Sequence, residues 1–196
     1  MSNNWGIYQS EEEQHFAWWL EDCQAQGWID NFVYHPCKFD LSPPVAIDVI
    51  RREVSKARQQ IRDVRKPRHL FDECTYEPDF MIRALPELYR FDLKWFGQHP
   101  FEFYIDTKGE ASKYDDGRSF VIKQKWVWSK HGVYINKVVP KAIFKRTFVP
   151  EKARYTPVKR DLCKPYLQFP LIAAAKLLPV LYAPDRLDIG DDFNLV

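Results

Sequence analysis

Apolar and polar positions alternate along this chain with two periods, and the changes between them mark its elements. Ser10 followed by Glu11, Glu12 and Glu13 has the form of a helix start, with Ser10 as N-cap and Glu13 as its reciprocal partner in a capping box. Phe16, Ala17, Trp19, Leu20 and Cys23 then recur at helical spacing until Gly27 stops the run. Trp28 to Leu41, with Ile29, Phe32, Val33, Tyr34 and Phe39, predicts one or two strands. Ser42-Pro43-Pro44 interrupts it. Beyond, Ala46, Val49, Ile50, Val54, Ala57, Ile61 and Val64 return at three- and four-residue steps, which predicts a helix over 43–66. Phe101 to Lys108 is aromatic and β-branched and predicts a strand. Phe120 to Trp128 predicts a helix, and Val133 to Val139 a strand ended by Pro140. Leu85 to Pro100 is an aromatic, irregular connection, and Glu110 to Gly117 a polar loop.

These elements predict an α/β (α+β) fold with a mixed central sheet flanked by helices. A chain of 196 residues can build one substantial core, or one core with a small appendage. The expected division is a core over 1–140, including the 43–66 helix, and a basic arm with an acidic tail over 141–196. At 45% hydrophobic and 29% charged residues the chain reads as globular and soluble rather than disordered. The four cysteines are widely spaced with no Cys-x-x-Cys pair, which argues against a zinc site or a disulfide framework and suits a cytoplasmic location. Met1 to Ser10 lacks the apolar stretch of a signal peptide. No apolar run reaches the ~20 residues of a membrane helix, so no membrane partner is expected.

A net charge of +2 identifies no partner, but its distribution is uneven. The 43–66 segment carries Arg51, Arg52, Lys56, Arg58, Arg62, Arg65 and Lys66 opposite its apolar stripe, with only Asp48, Glu53 and Asp63 against them. That is more positive charge than solubility requires, and it points to phosphate contact through Arg51, Arg58, Arg62 and Arg65. Lys123 and Lys125, and the basic stretch from Lys141 to Lys164, extend the same theme; Asp185 to Val196 is an acidic tail.

The candidate chemistry lies between Tyr76 and Lys108. On a strand, Asp106 and Lys108 share a face with Tyr104, while Phe103, Ile105 and Thr107 take the other and can pack on a core. A carboxylate and an ammonium side by side, with Asp79 as second carboxylate, can hold a hard divalent cation and a water, Mg²⁺ or Mn²⁺ rather than Zn²⁺. Tyr76-Glu77-Pro78-Asp79-Phe80 followed by Asp106-Thr107-Lys108-Gly109 resembles the PD-(D/E)xK nuclease signature over about the first two thirds of the chain. It looks most like phage endonucleases that resolve branched DNA, and is also similar to the nuclease subunit of heteromeric transposases.

The resemblance implies a restriction-endonuclease-like core and a Mg²⁺-dependent DNA endonuclease, with Mn²⁺ as substitute. It implies metal ligands at Asp79, Asp106 and the main-chain carbonyl of Thr107, with Lys108 orienting the attacking water. Asp106 is a methylene shorter than the glutamate common at its position. The family pattern adds an upstream acidic residue on a helix, which Glu13 could supply, binding a second metal directly or through water; Glu13 could equally only cap its helix, and Glu11 and Glu12 rotate away from the apolar stripe. The implied partners are DNA and either a second copy of the chain or another protein of a recombination or transposition complex, in a bacterial or phage-infected cell. The rival reading is a nucleic-acid-binding or assembly protein that keeps the fold without the activity. His35 and Cys37 alternate as metal ligands could, but with no matching pair elsewhere they read as ordinary strand residues.

Overall fold

Ser10 caps the first helix, α1 (Glu11–Ala25), through a 3.1 Å bond from the Glu13 N–H to its hydroxyl. Three glutamates in the first turn complement the positive end of the helix dipole. The helix stops at Gly27, whose φ of 70° places it in the left-handed region. There the Trp28 N–H reaches the Cys23 carbonyl and the Gly27 N–H the Gln24 carbonyl, a Schellman ending. Phe16, Trp19, Leu20 and Cys23 are fully buried along one stripe, as their spacing predicts.

The computed structural model describes residues 6–54, 61–97, 101–110, 116–156 and 158–169. Its strands are β1 (Ile29–Tyr34), β2 (Phe39–Ser42), β3 (Val45–Val54), β4 (Ile61–Phe71), β5 (Cys74–Tyr76), β6 (Phe80–Ala84), β7 (Glu102–Thr107) and β8 (Ile135–Val138). The helices after α1 are α2 (Asp116–His131), α3 (Pro140–Arg146) and α4 (Glu151–Arg154), with short 3₁₀ turns at Pro86–Phe91 and Lys164–Tyr166. The central sheet is mixed, in the order β1-β6-β7-β8. β6 pairs antiparallel with both β1 and β7, while β8 runs parallel to β7 after the α2 crossover. The two strands flanking the acidic motif therefore occupy the middle of the sheet.

Alternation along β7 sends its side chains into two cores. Phe103 and Ile105 join Phe80, Ile82 and the α1 stripe. Tyr104 faces the second cluster, in which Phe120 and Val127 of α2 pack on Leu41, Tyr76 and Ile135. The sheet is thus covered by helices on both sides. Ile143, Phe144, Val149, Ala153 and Tyr166 lie in the same cluster as α1, so residues 140–169 complete the first core. Buried Asn136 fastens the loop before β7: it exchanges two 2.9 Å bonds with the Phe96 backbone and gives a third to the Tyr104 carbonyl. The acidic tail from Asp185 lies outside the described residues.

The helix predicted over 43–66 is absent. Val45–Val54 and Ile61–Phe71 instead form a two-stranded antiparallel ribbon, paired from Val45↔Phe71 to Val54↔Ile61. Five of the seven residues in the supposed helical stripe, Val49, Ile50, Val54, Ile61 and Val64, are β-branched, and such side chains lose rotamer freedom in a helix but suit a pleated strand. Pro67 sits inside β4, where the ribbon has no further described strand beside it and so tolerates a residue without an N–H.

Candidate active site

Asp79 is the last residue before β6, and Asp106 and Thr107 end the adjacent β7. Antiparallel pairing sets Phe80 opposite Ile105, and so brings the start of one strand to the end of the other. Asp79 Oδ2 accepts 2.6 Å bonds from both the N–H and the hydroxyl of Thr107. Next along the chain, the Lys108 N–H bonds the Val138 carbonyl at 2.8 Å, which holds this residue to β8. Its ammonium returns to Asp106, with Nζ 2.7 Å from Oδ2. Asp79, distant in sequence, is therefore brought to the consecutive Asp106, Thr107 and Lys108 at one end of the central strand pair.

The electrostatics of the group are unbalanced. Burial and the Asp106 carboxylate raise the Asp79 pKa from 3.8 to about 6, against the lowering effect of the Thr107 bonds. Asp106 is 4% exposed, and its Oδ2 has the Lys108 ion pair but no well-angled hydrogen bond. The Tyr76 hydroxyl is also buried without such a bond; burial and the nearby Asp106 charge push its pKa well above that of an ordinary phenol. A hard cation fits this surplus of buried oxygen, with Asp106, Asp79 and the Thr107 carbonyl as the donors available to it. Among the described residues no group of three His, Cys, Asp or Glu side chains stands close enough to cage a metal.

Glu13 is buried and committed to local bonds. Its Oε2 accepts from the Gln9 N–H at 2.8 Å and from the Tyr34 hydroxyl at 2.6 Å, and its Oε1 from the Ser10 hydroxyl at 3.1 Å. The reciprocal half of the capping box thus goes to Gln9 rather than to the N-cap itself. Glu13 still lies within electrostatic reach of Asp79, whose pKa it helps to raise. Rotation about the helix sets Glu12 aside, yet its side chain lies over the motif: a Cβ at Gly109 would come within 3.0 Å of Glu12 Oε1.

Three further residues enter the site; Tyr76 belongs to the motif, while Tyr34 and His35 carry no clear sequence signal. Tyr34 carries Glu13, Tyr76 backs Asp106, and His35 leaves β1 with φ of 48°, its N–H bonded to the Asp79 carbonyl at 2.9 Å. His35 Nδ1 is buried, 3.7 Å from Glu77. Alternation in the sequence places His35 in a strand; the structure makes it a turn residue that fixes the backbone at Asp79.

The residues predicted to contact phosphate are more dispersed. Arg51, Arg62 and Arg65 are exposed on the ribbon, while Arg58 lies outside the described residues. On α2, Lys125 is exposed and Lys123 half-buried. No helix among the described residues is long and apolar enough to cross a membrane. Compared with protein-family models, with curated proteins and with solved structures, the chain matches none of them.

Proposed function

We propose that this protein is a Mg²⁺-dependent DNA endonuclease with a restriction-endonuclease-like core. The observation that carries the reading is the meeting of Asp79, Asp106 and Lys108 at the ends of two adjacent central strands, with the Lys108 ammonium 2.7 Å from Asp106. A Mg²⁺ bound there would lower the pKa of a water and act as a Lewis acid on the scissile phosphate. Thr107 holds Asp79 by two bonds, so this carboxylate cannot rotate away, and leaves Oδ1 to a cation. Lys108 orients the attacking water and neutralises charge that develops on the phosphoryl oxygens. Tyr76 and the second core close the space behind Asp106, which excludes water and strengthens each of these interactions. Lys123, Lys125, Arg51 and Arg62 supply phosphate contacts beyond the scissile bond.

The direct test is incubation of the protein with supercoiled, linear and four-way-junction DNA, with and without Mg²⁺. Cleavage that requires Mg²⁺ and is lost in Asp106→Asn is the expected result. Preference for the junction would assign a resolving role, and two symmetric cuts would call for a dimer. Absence of Mg²⁺-dependent cleavage on all three substrates would overturn the reading in favour of a binding or assembly protein.

A further inference from the structure

β3 and β4 hydrogen-bond only to each other among the described strands, and nearly all their side chains are exposed. In an antiparallel pair, directly opposed residues share a face and successive pairs alternate. The register places Arg51 opposite Val64, Glu53 opposite Arg62, Val49 opposite Lys66 and Ile47 opposite Arg68. One face thus carries four cations against a single carboxylate. The alternate face sets Arg52 opposite Asp63 and Arg65 opposite Ile50, with Asp48 beyond. There two cations meet two carboxylates, and Arg52 and Asp63 form a 3.5 Å ion pair. Pairing has therefore sorted the charges of this segment, and Arg65 falls on the balanced side.

We propose that the face bearing Arg51, Arg62, Lys66 and Arg68 is a docking surface for duplex DNA, gripping its backbone phosphates; the choice of DNA rests on the nuclease reading. Dimensions agree with charge. Ten paired residues at ~3.3 Å each make a ribbon of roughly 33 Å, about one turn of B-DNA. Same-face positions repeat every ~6.7 Å, close to twice the ~3.4 Å charge spacing of one DNA strand. β4 leads through β5 to Tyr76 and then Asp79, so a duplex held on the ribbon is tied by a short stretch of chain to the acidic site.

The test is fluorescence anisotropy with a labelled duplex, in EDTA, over a range of salt. Arg51→Gln/Arg62→Gln and Arg52→Gln/Arg65→Gln each remove two positive charges, but from opposite faces. The first should weaken binding by ~10-fold or more and flatten the slope of log K against log salt by about 1.8, at ~0.9 per lost phosphate contact. Lys66→Gln/Arg68→Gln should reproduce that loss, while the Arg52/Arg65 pair leaves the slope near wild type. Unchanged circular dichroism and melting temperature in all three show that the ribbon is intact. Equal losses from both faces, or no loss from the first, would overturn the proposal. So would a variant that keeps its DNA affinity and loses self-association in sedimentation, which would make the ribbon a protein contact. Because no metal is present, the two readings separate: face-dependent binding without Mg²⁺-dependent cleavage sinks only the nuclease reading, and cleavage with an unchanged salt slope sinks only this one.

Discussion

At Asp79 the demands of folding and of the proposed cation oppose each other. Its pKa of about 6 means that the folded state favours the protonated form more than the unfolded chain does. The stabilising contribution is therefore complete below pH ~3.8 and is lost as pH rises through about 6. At pH 7 the ionised carboxylate costs up to ~3 kcal/mol, because each tenfold change in an ionisation equilibrium is worth ~1.4 kcal/mol. Asp79→Asn should then raise the melting temperature by several degrees at pH 7 and make no difference near pH 3, which thermal melts across pH will check. The same ionisation would control the proposed cation. Mn²⁺ should bind more weakly at pH 5 than at pH 7.5, with proton release, and calorimetric titration in buffers of different ionisation enthalpy reads both; equal affinity at the two pH values would place the metal elsewhere.

At Lys108 the proposed catalysis can be told apart from binding. If it positions water and offsets developing charge, Lys108→Ala should slow cleavage by ~10²-fold or more. DNA affinity should change little, because one cation among many phosphate contacts is a small share. Single-turnover cleavage and anisotropy on the same variant measure the two effects. Cleavage near the wild-type rate would sink the proposed role of this lysine.

Elements that announce themselves locally are read correctly from the sequence. α1 has its cap, its glutamates and its glycine stop within one stretch, and β7 its aromatic and β-branched run. The motif residues are legible for the same reason, since Asp106 lies at the end of that strand and Lys108 just beyond it. What fails is the ribbon, where apolar residues at three- and four-residue steps fit a helical stripe while their branching at Cβ favours a strand. The supports of the site are invisible for a different reason. Glu13 meets Tyr34 across 21 positions, and Asp79 meets Thr107 across 28, contacts that exist only once the sheet has formed. Ser10→Ala tests the local kind of information: loss of the N-cap should cost ~1 kcal/mol by denaturant titration. Tyr34→Phe tests the distant kind. It removes one of Glu13's three hydrogen bonds and should cost ~1 kcal/mol as well, a loss shared between helix and sheet rather than confined to the helix end.

At the scale of the whole molecule, the central sheet does not carry its own core. α1 covers one face of the sheet, and the outer side of that layer is finished by Phe144, Val149, Ala153 and Tyr166 from beyond residue 140. The connection is polar as well as apolar: the Trp19 indole N–H donates to the Thr147 hydroxyl at 2.9 Å, and that hydroxyl donates to the Ile143 carbonyl at 2.8 Å, all out of reach of water. Thr147→Val keeps the shape but leaves the Trp19 N–H unsatisfied, at a cost of ~1–3 kcal/mol. A chain ended at Val139 loses far more. Each buried aromatic or aliphatic side chain contributes ~1.5–3 kcal/mol, so losing Ile143, Phe144, Val149 and Tyr166 removes ~6–12 kcal/mol, comparable with the ~5–15 kcal/mol by which a domain of this size is stable. The truncated chain should therefore fail to give a cooperative melt, even though every motif residue, Asp79 through Lys108, lies before the cut. A cooperative transition and Mg²⁺-dependent cleavage by residues 1–139 alone would show that the segment from Pro140 onward is an appendage and not part of the fold.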